Sequence, residues 1–414
     1  VDFLIVNGAE CEPLLAKDKE IMRLYAREIV EGVILASEQT KAKRTVFAIK
    51  EKNKDAIAAI KAEIQDTPIE FYPLRDVYPA GDEYELVWYV AGRQIPPGGI
   101  PLNVGCVVSN VETFYNIYFA SRNIPVTQTL ITVHGAVHSP KTFWSPVGMS
   151  FGEAIQIAGG ATVKDFIMID GGPMMGKAVT NLNTPLTKTS SGILVLPAEH
   201  YLAQRKTRND RRMKSIGKSA CDQCSDCTML CPRSQLGIPL QPHLAMRALG
   251  FSGPQNEILN KWASFCVECN ICSLYACPEN LDPMDVCRIA KHELKVKDIH
   301  WTPEEIKRLA TDVRPTKDFR LPPISMLTRK LGLADYTKIK APFAENDYLP
   351  QMVHIPLKQH IGTVTKACVI PGDEVYSGDI IGTIGENELG VPVHASINGK
   401  ITAVDTAISI QRMV

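Results

Sequence analysis

Two short runs, CDQCSDCTMLCP at 221–232 and CVECNICSLYACP at 266–278, bring eight cysteines and two prolines into one stretch of chain. The cysteines step by three, three and four in the first run and by three, three and five in the second, with proline directly after the fourth. Whatever surrounds it, this stretch must fold so that thiols at those spacings face common centres. The chain shows no basic, apolar leader and no run near the roughly 18 apolar residues of a membrane span. It therefore reads as cytoplasmic, where structural disulfides are kept open and clustered cysteines point to metal or redox chemistry. The four scattered cysteines, Cys11, Cys106, Cys287 and Cys368, read as small core residues.

Three cysteines at i, i+3 and i+6 let a loop wrap one face of an iron–sulfur cube, each thiolate reaching a different iron. In two-cluster ferredoxins the fourth cysteine, followed by proline, goes to the other cluster. That crossing predicts one [4Fe–4S] site from Cys221, Cys224, Cys227 and Cys277, and a second from Cys266, Cys269, Cys272 and Cys231. Zinc also accepts four thiolates, but its ligands usually come as separated pairs. A relay of two cubes needs an electron donor and an acceptor, which the rest of the chain must supply.

At 414 residues the chain has room for several domains. Its 45 basic and 45 acidic side chains cancel, which removes the global charge argument for nucleic acid as a partner. The opening VDFLIV reads as a strand inside a domain whose first part lies upstream. Residues 1–124 alternate apolar runs (FLIV at 3–6, TVFAI at 45–49, ELVWYV at 85–90) with helical stretches such as 18–39, which implies a helix-covered parallel sheet. Residues 125–200 turn to short strands around one helix, a small grasp-type domain. Residues 201–320 are mostly helical around the cysteine runs, and the basic stretch near their start, QRKTRNDRRMK at 204–214, reads as a solvated helix face. After a proline-bearing linker, 345–414 holds two similar short-strand halves around glycine turns, as in a flattened barrel or sandwich.

VNGAECEP at 6–13 places a strand end, an amide, a tight turn and two acids before a helix, and YPAGDE at 78–83 and SNVET at 109–113 repeat that kind of grouping. Read alone, VNGAECEP is also compatible with an ordinary strand-to-helix turn. The three stretches together resemble the flavin-binding subunit of respiratory complex I and, more closely, the RnfC component of Rnf electron-transport complexes and the propanediol-utilisation cobalamin reductases. VHGAVHSPKTFWSPVGMSFGEAIQIAGG resembles an SLBB β-grasp module. HIGTVTKACVIPGDEVYSGDIIGTIG with VHASINGK resembles a lipoyl-like module, placed C-terminally as in the cobalamin reductases. Its turn GENELG (385–390) has no lysine for a swinging arm, so packing or docking is its expected role.

The resemblance implies a multidomain α/β and α+β chain. Its parts are a Rossmann-like flavin domain, an SLBB β-grasp domain, a helical two-cluster ferredoxin-like domain and a C-terminal barrel-sandwich domain. It also implies an FMN pocket lined by Asn7, Glu10, Tyr78, Gly81, Asp82, Glu83, Ser109, Asn110 and Thr113, with Glu12 facing NADH. A glycine-rich phosphate loop precedes VNGAECEP in that family and is not in this sequence. The expected activity is NADH-dependent electron transfer through FMN and two [4Fe–4S] clusters to cobalamin or an acceptor protein. An Rnf-like NADH:ferredoxin carrier and a non-catalytic docking adaptor are the alternatives. The expected setting is cytoplasmic, within a bacterial microcompartment or peripheral on a membrane complex.

Overall fold

A computed structural model describes residues 1–413. The chain forms two compact units, each assembled from three separated segments: 1–13, 37–110 and 204–335 in the first, and 14–36, 111–203 and 336–414 in the second.

The first unit is organised by a sheet of β1 (Phe3–Gly8), β2 (Arg44–Lys50), β3 (Ile69–Leu74) and β4 (Cys106–Asn110), ordered β3-β2-β1-β4. All three pairings are parallel, with Asn7 opposite Ala48 on one side and Asn110 on the other. Strands buried on both faces read as continuous apolar runs. FLIV and VFAI do so, which makes them legible. IEFYPL is less so: Pro73 argues against a strand, but β3 is an edge, where a missing N–H donor is tolerated.

ELVWYV at 85–90, expected as a strand, is helical. Glu83–Leu86 begins under an Asp82 cap and continues into a π-helical turn, Val87–Ala91. Short apolar runs do not separate buried strand from buried helix by periodicity. Here the cap decides, since the Asp82 carboxylate accepts from the backbone N–H groups of Tyr84 (3.1 Å) and Glu85 (3.3 Å).

The remainder of the first unit is helical. Its core gathers Leu236, Ile238, Leu240, Ala245, Met246, Ala263, Leu281, Val286 and Ala290 around Cys231, Cys266, Cys277 and Cys287. The helix Pro283–Val296 buries Val286, Cys287, Ile289, Ala290 and Leu294 on one stripe.

The 18–39 stretch, in the second unit as far as residue 36, is two helices rather than one, Lys17–Leu24 and Ala26–Thr40. Tyr25 (φ −128°, ψ 36°) breaks them; its ring packs on Tyr115 and Trp144, and its hydroxyl accepts from the Trp144 indole N–H at 2.9 Å. A mixed sheet follows, of β5 (Gln128–Gly135), β6 (Lys141–Pro146), β7 (Phe166–Asp170), β8 (Lys177–Val179) and β9 (Gly192–Pro197), ordered β6-β5-β9-β7-β8. The helix Phe151–Ile157 packs Phe151, Ala154 and Ile155 into its core. A reciprocal Ser150–Glu153 capping box starts that helix.

The last module has two small sheets. One orders β10 (Met352–Pro356), β16 (Ala407–Arg412), β15 (Gly399–Val404) and β12 (Glu374–Val375); the other orders β11 (Lys366–Ala367), β13 (Ile380–Thr383) and β14 (Val393–His394). Their inner faces share one core of Val353, Ile355, Ile381, Val393, Ile401, Ile408 and Ile410. No helix among the described residues is long and apolar enough to cross a membrane.

Candidate functional site

The two cysteine loops are built alike. In 221–227 the left-handed positions are Gln223 (φ 58°) and Ser225 (φ 69°); in 266–272 they are Glu268 (φ 59°) and Asn270 (φ 67°). These are the same two steps of each repeat, the second and fourth after its first cysteine. None is glycine, so each left-handed residue costs about 1–2 kcal/mol, a cost that persists where function requires the shape. Alternating the backbone this way turns successive N–H groups to one side and makes a concavity suited to sulfide or anion. Consistently, the backbone N–H of Glu268 donates to Cys266 Sγ (3.4 Å); apart from the loop backbone, the N–H of Leu281 donates to Cys277 Sγ (3.3 Å) and the Gln223 side-chain amide to Cys221 Sγ (3.1 Å).

Two cavities result. One is lined by Cys221, Cys224, Cys227 and Cys277, with Gln223, His243 and Met246 at its walls. The other is lined by Cys231, Cys266, Cys269 and Cys272, with Arg233, Asn270 and Met284. Each takes three thiols from one run and the fourth from the other. The cysteines of these loops are free thiols.

Burial pushes the Cys227 and Cys231 thiols up to about 12. Those of Cys269, Cys272 and Cys277 are raised too, chiefly by burial, with neighbouring thiols adding to it. Thiolates so placed are unstable without a cation to neutralise them. Cys266 is different, because a hydrogen bond from buried Cys287 lowers its pKa against the effect of burial, while Cys287 itself is pushed up.

Among the described residues no three His, Cys, Asp or Glu side chains close on a single ion. The thiols instead ring a cavity. A four-iron cube takes one thiolate per iron around such a cavity, whereas tetrahedral zinc draws its sulfurs to about 2.3 Å from one point. The donor set fits the cubes.

The second site grows from the C-terminal ends of β1 and β4. Asn7 is the penultimate residue of β1; its amide donates to the Gly81 carbonyl (2.9 Å) and its Oδ1 accepts from the Ala9 N–H (3.1 Å). Gly81 in turn donates its N–H to Cys11 Sγ at 2.7 Å. A Cβ on Gly81 would stand 2.8 Å from that sulfur and 3.0 Å from both Ala9 O and Asn7 Oδ1, so only glycine lets the 78–83 loop lie against 7–11. Ser109 and Asn110 end β4 opposite Val6 and Asn7. Glu10 and Glu12 follow β1 and act electrostatically on Cys11, whose thiol burial pushes up to about 12. Glu83 is exposed as a residue, but desolvation of its carboxyl group and the charge of Asp82 raise its pKa. Thr113 lies in the first turn of the helix Val111–Ala120, which belongs to the second unit. Every expected flavin residue except Thr113 thus belongs to the first unit.

The flavin-side residues and the cysteine loops touch. Tyr78, 1% exposed, donates its hydroxyl to the Cys269 carbonyl at 2.9 Å. Asp82 forms a two-pronged ion pair with Arg233, one prong being Arg233 Nη2 to Oδ2 at 3.0 Å. The guanidinium also stacks over the Tyr84 ring, 3.7 Å from its centroid. Behind them, almost fully buried Glu85 pairs with buried Lys317; burial raises the carboxyl to about 7 while Lys317 opposes it.

Several expectations for single residues change. The 204–214 run is no simple solvated face: Arg205 is 4% exposed and forms a salt bridge with Asp282 (2.7 Å), which also takes Arg208 (2.9 Å). In the same run, burial lowers Lys206 to about 8, with Glu12 and Asp285 opposing. Cys106 and Cys287 are core residues, but Cys368 is exposed at a strand edge, and half-buried Cys11 is an acceptor in the flavin-side loop. Arg233, Tyr84, Lys206 and Lys317 do not stand out in the sequence. Arg233 alone leaves a signal, a cation directly after Cys–Pro where the ligand loop must bury.

Comparison with known proteins accords with this layout. Residues 1–119 match the Nuo51 FMN-binding domain model, 130–178 the SLBB domain, 220–282 a 4Fe-4S dicluster domain and 340–413 the RnfC barrel sandwich hybrid domain. The chain therefore carries a flavin-binding domain and a two-cluster domain in one polypeptide. It is 40% identical over 408 residues to cobalamin reductase PduS of Citrobacter freundii, covering 98% of this chain and 88% of that one. The corresponding protein of Salmonella typhimurium is 40% identical over 417 residues, covering 100% and 90%. A component of the proton-translocating ferredoxin:NAD(+) oxidoreductase complex of Clostridium ljungdahlii is 36% identical over 234 residues, covering 56% and 49%.

Proposed function

Since the chain belongs to the PduS-type cobalamin reductase family, we propose that it moves electrons from NADH to the cobalt of a corrinoid. Each NADH gives up two electrons and becomes NAD+ with release of one proton, and two Co(III) centres become Co(II). FMN, when bound, supplies the conversion between a two-electron donor and one-electron clusters. We assign Asn7, Glu10, Tyr78, Gly81, Asp82, Glu83, Ser109, Asn110 and Thr113 to FMN and Glu12 to the dinucleotide side. One cluster is assigned to Cys221, Cys224, Cys227 and Cys277, the other to Cys231, Cys266, Cys269 and Cys272. Domain divisions near 124, 200, 320 and 345 accompany this reading.

The observation that carries it is the direct bonding of flavin-side residues to a cysteine loop, Tyr78 to Cys269 and Asp82 to Arg233, inside one compact unit. An electron leaving the pocket meets a thiol-ringed cavity without crossing solvent. Around that path Asn7 and Gly81 hold the loop, the Asp82–Arg233 pair fixes its far side, and Glu12, itself faced by Lys206, sets negative charge beside Cys11 and Tyr78. The acceptor is taken to be a cobalamin, because the relatives matched over the whole chain are cobalamin reductases, while the ferredoxin:NAD(+) oxidoreductase component matches just over half of it; a bacterial microcompartment is the setting proposed with that acceptor.

The test uses anaerobically prepared protein containing about eight irons, on the stoichiometry of two cubes, and bound FMN. NADH is expected to bleach the flavin and to convert hydroxocobalamin to the Co(II) form with no ferredoxin present. Reduction of ferredoxin but not of cobalamin would favour the RnfC-like reading. Flavin that bleaches only on adding a separate reductase would leave a docking adaptor.

A further inference from the structure

The two thiol-ringed cavities stand differently toward the flavin side and toward solvent. The Cys231/Cys266/Cys269/Cys272 cavity is the one bonded to the flavin-side loop: Tyr78 donates to Cys269, and Arg233, two residues after Cys231 and itself lining that cavity, pairs with Asp82. Its loop 266–272 has no exposed residue; Cys266 and Cys272 are each 6% exposed. The other loop is open where this one is closed. Asp222, Gln223 and Cys224 are three exposed residues in succession, and Cys221 beside them is half-buried. Between the cavities Cys227 of one set and Cys272 of the other pack together with Met284.

We propose that the two sites work in series and in a fixed order. The Cys231/Cys266/Cys269/Cys272 site receives each electron from the flavin. It passes the electron across the Cys272–Met284–Cys227 contact, and the Cys221/Cys224/Cys227/Cys277 site delivers it past Cys224 to a one-electron acceptor such as a corrinoid Co(III). This order rests on the FMN reading above. At each step one centre is oxidised and the next reduced by one electron, so no proton or further reactant enters. At the receiving site Cys231, Cys266 and Cys272 are buried and Cys269 is half-buried, which shields it from adventitious oxidants, whereas the delivering site is exposed at Asp222, Gln223 and Cys224 and again at Pro278 and Glu279 beside Cys277.

Two measurements decide the order. In the unaltered protein reduced with dithionite, a water-soluble Ni(II) chelate is expected to speed the relaxation of one cluster's EPR signal and to leave the other unchanged. Cys224→Ser is expected to alter the accelerated signal and Cys269→Ser the protected one. Equal acceleration of both signals, or acceleration of the one that Cys269→Ser alters, overturns the proposal. The second measurement is rapid mixing with NADH. In Cys269→Ser the flavin is expected to bleach while the remaining cluster stays oxidised until dithionite is added; in Cys224→Ser the remaining cluster is expected to fill from NADH. Filling in Cys269→Ser at the unaltered rate overturns the order. Failure of NADH to bleach the flavin of the unaltered protein would count against the functional reading, and the Ni(II) measurement would still decide which site faces solvent, the premise on which the order stands.

Discussion

Arg233 ties the 78–83 loop to a cysteine ligand corner. It follows the Cys231–Pro232 ligand corner, is 6% exposed, pairs with Asp82 and stacks on Tyr84. Removing one partner of a buried ion pair strands the other charge, at about 3–5 kcal/mol. Asp82 is 17% exposed, so Arg233→Ala is expected at the lower end of that range, read by anaerobic denaturant unfolding, with FMN lost alongside. A loss under about 1 kcal/mol, the worth of a surface pair, would mean that the pair is solvated. Lys206 gives a pH test. Its folded pKa near 8 lies below the free value of about 10.4, so between those pH values the folded chain binds fewer protons than the unfolded one, and stability rises with pH across that window. Lys206→Met removes a penalty of at most about 3 kcal/mol at pH 7. The variant should melt higher at pH 7 and show no such rise from 8 to 10; melting curves over pH check this.

At the scale of elements the loops decide, and the sequence discloses them unevenly. The crossed cysteine sets are legible because thiols at fixed steps have few other uses, and the parallel strands because both faces of the sheet are buried. The helix at 83–91 is obscured because an apolar run carries no period of its own and Asp82, a candidate ligand residue, also serves as the cap. Arg205 and Lys206 are hidden among basic neighbours; which members of such a run turn inward depends on Asp282 and Asp285, some eighty residues on. Gly81 tests the flavin-side loop. Gly81→Ala forces Cys11 or Asn7 to move and is expected to abolish FMN binding, seen as loss of visible flavin absorbance, while leaving the iron content at its unaltered level. Adding Cys11→Ala removes the 2.8 Å contact and should restore part of the flavin. Loss of iron together with flavin in the single variant would show that the two sites fold as one.

For the whole molecule, the division into two units, each threaded from three segments, sets what metal removal should do. The thiol cavities lie in the first unit, and the cores of the β5–β9 sheet and of the barrel-sandwich module lie in the second. Stripping iron with a chelator is expected to raise hydrogen exchange throughout 221–296, because buried thiols lose the cation that holds their loops. Amides of β5, β9, β15 and β16 should keep their protection. Exchange rising equally in both units would show that they unfold together.

The interleaving of the cysteines also bears on how the holoprotein comes into being. Each cavity borrows its closing thiol from the opposite run, thirty-five to fifty-six residues away. A nascent chain with only the first run outside the ribosome can present three donors and no more, so neither cube can be completed until the second run has emerged. Delivery of iron and sulfide then becomes an all-or-none event that waits for the second run to emerge, and a product truncated before it carries no half-built relay to leak electrons to oxygen.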